Sequence, residues 1–239
     1  MINKSGRAGK STRYMASKRH KSAIWIGLIG IALILIVSYF LLNSKLLGIG
    51  GLGIFGLIFL IQILSNITKG RMSSKLKEEK RAIRGARSEE RIGELLSDLS
   101  DDYFVLNDIE SPFGNIDHIV ISKNSEIYLI ETKAHGGKVE LDGDTLLVNG
   151  KLPEKNFISQ ALQNAYWLRD EIGQIVGSKP WITPIIVFTN AFVIPMRPIK
   201  GVNVINKKYL TNVLYRKNKP NASNTQIWEH KETIEKRLL

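Results

Sequence analysis

The chain has 239 residues, no cysteine and a formal charge of +12 at pH 7. That length admits one large domain or two modest ones, and the lack of thiols excludes disulfides and Cys-ligated zinc and fits a reducing compartment. Residues 1–87 hold 16 Lys/Arg against 2 Asp/Glu and residues 88–239 hold 18 against 20, so the positive excess flanks an apolar segment and does not coat a nucleic-acid-binding surface.

A basic stretch, residues 1–23, leads into two uncharged apolar runs, 24–42 and 46–64, separated by Asn43, Ser44 and Lys45. Each run is close to the ~20 residues a helix needs to cross a bilayer core, which predicts a transmembrane helical hairpin over residues 24–64. Seven Lys/Arg precede the first run, eight follow the second, and the tip between them has one. Because basic residues stay on the cytoplasmic side, both termini are expected in the cytoplasm, as in a two-span protein of the cell membrane. A cleaved signal peptide fits less well: the first run is too long, no small-residue cleavage site follows it, and a second run comes directly after. The basic segment 65–84 also suits anionic lipid. Gly48, Gly50 and Gly53 spell G-x-G-x-x-G, but inside an apolar run this pattern lacks the strand and amphipathic helix of a dinucleotide site. Small residues that let membrane helices approach explain it better.

The remainder reads as α/β. Residues 73–100 form a helix, charged at first and then striped by Ile92, Leu95, Leu96 and Leu99. Strands are expected at 103–109, 116–122 and 126–133, with a turn at 111–115 and a hairpin at 123–125. A second small hairpin joins 139–141 to 145–148 around Asp142-Gly143-Asp144. Residues 156–176 form an amphipathic helix, 182–189 a buried strand and 202–205 a short one. Helical segments at 207–215 and 225–239 close the chain, with a polar loop at 218–224. This order predicts an αβββαβ core with a mixed sheet. The domain is bounded at residues 85–205, with 206–239 as a helical extension.

Three segments put ionisable groups where a core prefers hydrocarbon. Asp117 interrupts Ile116–Ser122, and Glu131 and Lys133 end the next strand. Alternation puts Ile127, Leu129, Glu131 and Lys133 on one face, and Asp117 meets Glu131 if the two strands pair. Two close carboxylates repel unless a proton or cation lies between them, and oxygen ligands favour magnesium or manganese. Such a metal stabilises charge on a phosphate and acidifies a bound water, and Lys133 is placed to orient that water or stabilise developing charge. Alone, an E-x-K pair is usually a solvated ion pair, and Asp117 after a Gly-Asn turn is often only a turn residue.

Two further positions add weight. At roughly 100° per residue, Glu89 lies about 70° from the centre of the apolar stripe, whereas Glu90 lies nearly opposite it with Glu94 and Asp98. Asn156, Gln160 and Asn164 repeat at i, i+4 and i+8 beside an apolar helix face. His118 points away from Asp117 and reads as structural or substrate-facing, and His135 is expected in the loop after Lys133, where a phosphate could touch it.

At these residues the sequence resembles the nuclease-related domain (NERD) within the PD-(D/E)XK nuclease superfamily. The matching stretches are Gly85-Ala86-Arg87-Ser88-Glu89, Gly114 to Val120, Ile130-Glu131-Thr132-Lys133 with Gly137, Asn156 to Gln160, and Ile185 to Phe188. The resemblance implies a restriction-endonuclease-like core. It also implies a metal site from Asp117 and Glu131 helped by Glu89, a catalytic Lys133 and a supporting Gln160. Ser88 stands where the family usually has Gly, and Phe157 where Pro often follows the Asn.

The expected function is therefore a membrane-anchored endonuclease using Mg2+ or Mn2+ to hydrolyse phosphodiester bonds in nucleic acid, DNA first. The alternative is an inactive membrane-tethered module that binds nucleic acid or protein on the same fold. A third reading makes the hairpin itself the working part, in membrane remodelling or sensing. Association of the chain into a homo-oligomer stays open.

Overall fold

The computed structural model describes residues 4–43, 51–194, 196–215 and 227–239. The chain divides into two units, one of residues 12–83 and one that joins residues 1–11 to 84–239.

The smaller unit is built from α1 (Lys10–Asn43) and the first part of α2 (Gly51–Ser97). Residues Lys10–Tyr39 are long and apolar enough to cross a membrane. Their large side chains, among them Trp25, Leu28, Ile31 and Leu35, are exposed, as expected of a helix that is apolar all round. In α2, Phe55, Ile58, Phe59 and Ile63 are exposed in the same way. The two helices pack antiparallel: Arg19 donates to the carbonyl of Glu78 at 3.1 Å, and His20 Nδ1 lies 3.0 Å from a Glu79 carboxylate oxygen. Nearer the apolar middle, a Cβ on Gly30 would collide with Thr68, and one on Gly27 would touch Met72. Glycine at Gly30 leaves the room that the Thr68 side chain fills, as small residues do between packed helices. Of the sequence features expected here, the tip at Ser44 and Lys45, Gly48, Gly50 and the start of the second apolar run lie outside the described residues. The helix expected to begin near residue 73 is continuous with the apolar run before it.

The larger unit is an α/β domain on one mixed sheet. Its strands are β1 (Lys4–Ser5), β2 (Tyr103–Ile109), β3 (Ile116–Ser122), β4 (Ile127–Asp142), β5 (Thr145–Val148), β6 (Ile182–Val193) and β7 (Asn203–Asn206). The sheet order is β1-β2-β3-β4-β6-β7, with β5 paired to the far end of β4. The β2-β3-β4 meander is antiparallel, whereas β4-β6 and β6-β7 are parallel. The β4-to-β6 crossover is α3 (Phe157–Val176), which Asn156 opens by accepting from the Ser159 amide and Gly177 closes in the left-handed region. A 3-10 turn at Lys207–Tyr209, α4 (Leu210–Leu214) and α5 (Lys231–Leu238) follow. The loop expected at 218–224 lies outside the described residues.

The two sheet faces are covered differently. Ile92 and Leu96 of α2 pack on Val120, Tyr128, Ile130 and Ile185. Ala165, Leu168 and Ile172 of α3 pack on Ile119, Ile121, Ile127 and Leu129. Full burial of each such side chain contributes roughly 1.5–3 kcal/mol, and the alternation of β4 is what divides its residues between the two layers.

Three expectations need correction. The strand at 126–133 and the small hairpin strand at 139–141 are one strand, β4, with a register shift between Lys133 and Gly136. Gly137 supplies the positive φ of 91° that the irregularity requires, and β6 runs beside both halves, extending to Val193 rather than to 189. His135 is thus part of a bulged strand and not of a loop.

Candidate active site

The side chains at issue meet where β3 and β4 part. The register His118↔Ile130 is the last β3-β4 pair on this side, and one further step would set Asp117 opposite Glu131. The Asp117 carboxylate substitutes for the lost ladder partner, with its Oδ2 accepting from the Thr132 amide at 2.6 Å. Glu131 and Lys133 follow Leu129 on the face covered by α3, as alternation requires.

Glu131 is buried, and both its oxygens are engaged. Asn164 Nδ2 donates to Oε1 at 2.9 Å, and Lys133 Nζ donates to Oε2 at 3.2 Å. The same ammonium donates to Gln160 Oε1 at 3.3 Å and lies 5.0 Å from the centre of the Phe157 ring. Asn164 in turn accepts from the Ser111 hydroxyl at 2.7 Å. The side chains of the i, i+4, i+8 stripe therefore take different roles. Asn156 caps the helix, Gln160 holds Lys133, and Asn164, fully buried, holds Glu131. Asn164 is the participant that sequence reasoning passed over. Its signal was the stripe itself, but which of three amides reaches the carboxylate depends on where α3 crosses β4.

Glu89, buried on α2, faces the same place. The carboxyl of Asp117 is pushed well above its ordinary range, first by loss of solvent, then by the Glu131 and Glu89 carboxylates; the Lys133 ammonium and the Thr132 amide oppose the shift. Those causes bring all three acids into one field. Ser88, just before Glu89, is buried and accepts from the Thr189 hydroxyl at 2.8 Å, which fixes this turn of α2 to β6.

The donor set suits a hard divalent cation: three carboxylates are balanced by one ammonium, and all the donors are oxygen. Among the described residues, however, no three His, Cys, Asp or Glu side chains are gathered closely enough to hold a metal ion as they stand. The carboxylates create the demand for a cation without being closed around one.

His118 lies on the opposite sheet face and is fully buried. Its Nδ1 donates to Asn107 Oδ1 at 2.8 Å, an assignment set by Asn107 Nδ2, which donates to the Ser5 carbonyl. Its Nε2 has no hydrogen-bond partner among the described residues, and burial lowers its pKa to about 3. A neutral, enclosed imidazole is structural. His135 packs against Phe157 and Phe188. A cavity of about 760 Å³ opens beside the start of α3; it includes Phe157 in its lining but none of Glu89, Asp117, Glu131 and Lys133.

Residues 84–189 match the family model described as the nuclease-related domain (NERD), which supports a nuclease-like fold for this part of the chain. That stretch contains Glu89, Asp117, Glu131, Lys133 and Gln160. No curated protein and no solved structure matches the chain.

Proposed function

We propose that the chain is a membrane-anchored, metal-dependent nuclease that hydrolyses phosphodiester bonds, with DNA as the first substrate to consider. The observation that carries this reading is the crowding of three carboxylates beside one lysine in a nuclease-related domain, seen in the displaced acidity of Asp117. Asp117 and Glu131, helped by Glu89, would hold Mg2+ or Mn2+. When bound, such an ion supplies charge stabilisation on the phosphate and a more acidic water. The protein's own contribution is positioning. Gln160 and the Phe157 ring hold Lys133 Nζ beside Glu131, where it serves to orient the attacking water or to balance charge developing on phosphate oxygens. Asn164 orients Glu131 by donating to one of its oxygens.

Anchoring through two spans is supported by two features. The first helix is apolar enough to cross a membrane, and α2 packs antiparallel against it. Residues 1–11 also belong to the same unit as residues 84–239, which favours an even number of crossings for the apolar sequence between them. The basic flanks then favour the cytoplasm for both.

A second reading has one observation in its favour: both Glu131 oxygens are already satisfied, as a non-cleaving binding module on this fold would leave them. The full chain in nanodiscs, incubated with single- and double-stranded DNA and RNA and with Mg2+, Mn2+ or EDTA, separates the two. Metal-dependent cleavage lost in Glu131→Gln supports the nuclease. Nucleic-acid binding without cleavage, and Mn2+ affinity unchanged by Glu131→Gln, supports the binding module.

A further inference from the structure

The N-terminal segment before α1 is built into the larger unit. Lys4 and Ser5 pair in parallel with Val105 and Leu106, and the Ser5 carbonyl accepts from Asn107 Nδ2 at 3.1 Å. A Cβ on Gly6 would collide with the Asn107 carbonyl, and one on Gly93 would lie 2.8 Å from the Ala8 Cβ. Gly6 and Gly9 both have positive φ, 75° and 73°, so the path of this segment depends on residues that tolerate it.

The segment ends on Asp108. The Ser11 amide and hydroxyl both donate to Asp108 Oδ2 at 2.9 Å, while Asn115 Nδ2 donates to Oδ1 at 2.9 Å. Asp108 itself adopts φ 59°, a conformation that Asp tolerates but that persists only when its surroundings enforce it. Asn115 belongs to the turn that delivers Asp117, and a Cβ on Gly114 would lie 3.7 Å from Gln160 Nε2. One carboxylate thus ties the segment preceding the apolar helix to the turn beside the site.

We propose that Asp108 is a positioning residue for Asp117, held in place by the docked segment of residues 4–11 and acting through Asn115. The proposal rests on the nuclease reading for its consequence in catalysis, but its structural content is separate. The Thr132 amide, which donates to Asp117 Oδ2, reports where that carboxylate sits. The absence of cysteine from the chain makes engineered thiols specific.

The test is made on the full chain in nanodiscs. Ala8→Cys with Gly93→Cys is expected to form a disulfide, since the Cβ separation is within a small adjustment of disulfide geometry. Hydrogen exchange is then measured in the wild type, Ser11→Ala and Asp108→Asn; Asp108→Asn leaves an acceptor for Asn115 but presents an amide to Ser11. Both variants are expected to speed exchange at Thr132 by at least about tenfold while leaving Leu129 unchanged, and the engineered disulfide is expected to slow it. Thr132 exchange unchanged in both variants, or no disulfide in a folded chain, overturns the proposal. If the wild type cuts nucleic acid while Thr132 does not respond, the positioning role fails and the nuclease reading stands. If Thr132 responds and no substrate is cut, the positioning role stands and the nuclease reading fails.

Discussion

At Asp117 stability and function pull in opposite directions. Its folded pKa is raised, so the stability it contributes is complete below its unfolded value and is lost as pH rises through the folded one. In EDTA, the Asp117 contribution should therefore fall as pH rises from about 4, and it is read most plainly as a falling melting temperature above about 6.5, where His118 no longer adds a slope of its own. Asp117→Asn keeps an acceptor for the Thr132 amide and removes the charge. It should flatten that slope, raise stability at pH 7, and abolish cleavage; a steeper slope in the variant would contradict this. His118 has the opposite sign. Its folded value near 3 lies below the unfolded value, so stability is complete above about 6.5 and drains away as pH falls, at up to about 1.4 kcal/mol per pH unit. His118→Leu should lose that acid dependence whatever its absolute stability. Asn164→Leu strips the partner from a buried Glu131 oxygen. It should cost about 1–3 kcal/mol in denaturant unfolding and slow cleavage, whereas Asn156→Ala should weaken only the helix start.

At the scale of elements, the sequence signals that survived are those set by period. Glu131 and Lys133 share the α3 face because strands alternate, and Glu89 sits beside the Ile92 and Leu96 stripe because a helix turns by a fixed angle. Signals that depend on a partner element were not legible. Gly136-Gly137 reads as a break in a single sequence, yet β6 lies alongside and carries β4 through it as a bulge. Asn149 completes the bulge by accepting from the Lys138 amide at 2.8 Å and donating to the Gly136 carbonyl at 3.1 Å. Gly137→Ala would strain the positive φ and collide with the Asn149 side chain. It should destabilise the domain by more than about 1 kcal/mol, read as an earlier urea midpoint, and an unchanged midpoint would show that the bulge can relax.

For the whole molecule, the element hardest to foresee was the first. A two-residue strand before an apolar helix has no periodicity, and only its pairing with β2 reveals it. It also bears on the proposed two-span anchor, because residues 1–11 and 84–239 form one unit. In a chain without native cysteine, Arg7→Cys and Lys123→Cys should resist an impermeant maleimide in intact cells, and Ser44→Cys should react. Labelling of one of Arg7→Cys and Lys123→Cys but not the other would contradict an even number of crossings, and labelling of both would reverse the orientation.

The most direct test of the central claim uses Lys133, which is not among the proposed metal ligands. Single-turnover cleavage of labelled DNA is compared between the wild-type full chain and Lys133→Met, with Mn2+ binding measured on both. The expected result is equal Mn2+ binding and cleavage slowed by roughly 10²–10³-fold in the variant, the scale for losing a preorganised charge-stabilising donor. A wild type that binds Mn2+ but cuts neither DNA nor RNA, or a Lys133→Met chain that cuts as fast, would contradict the account.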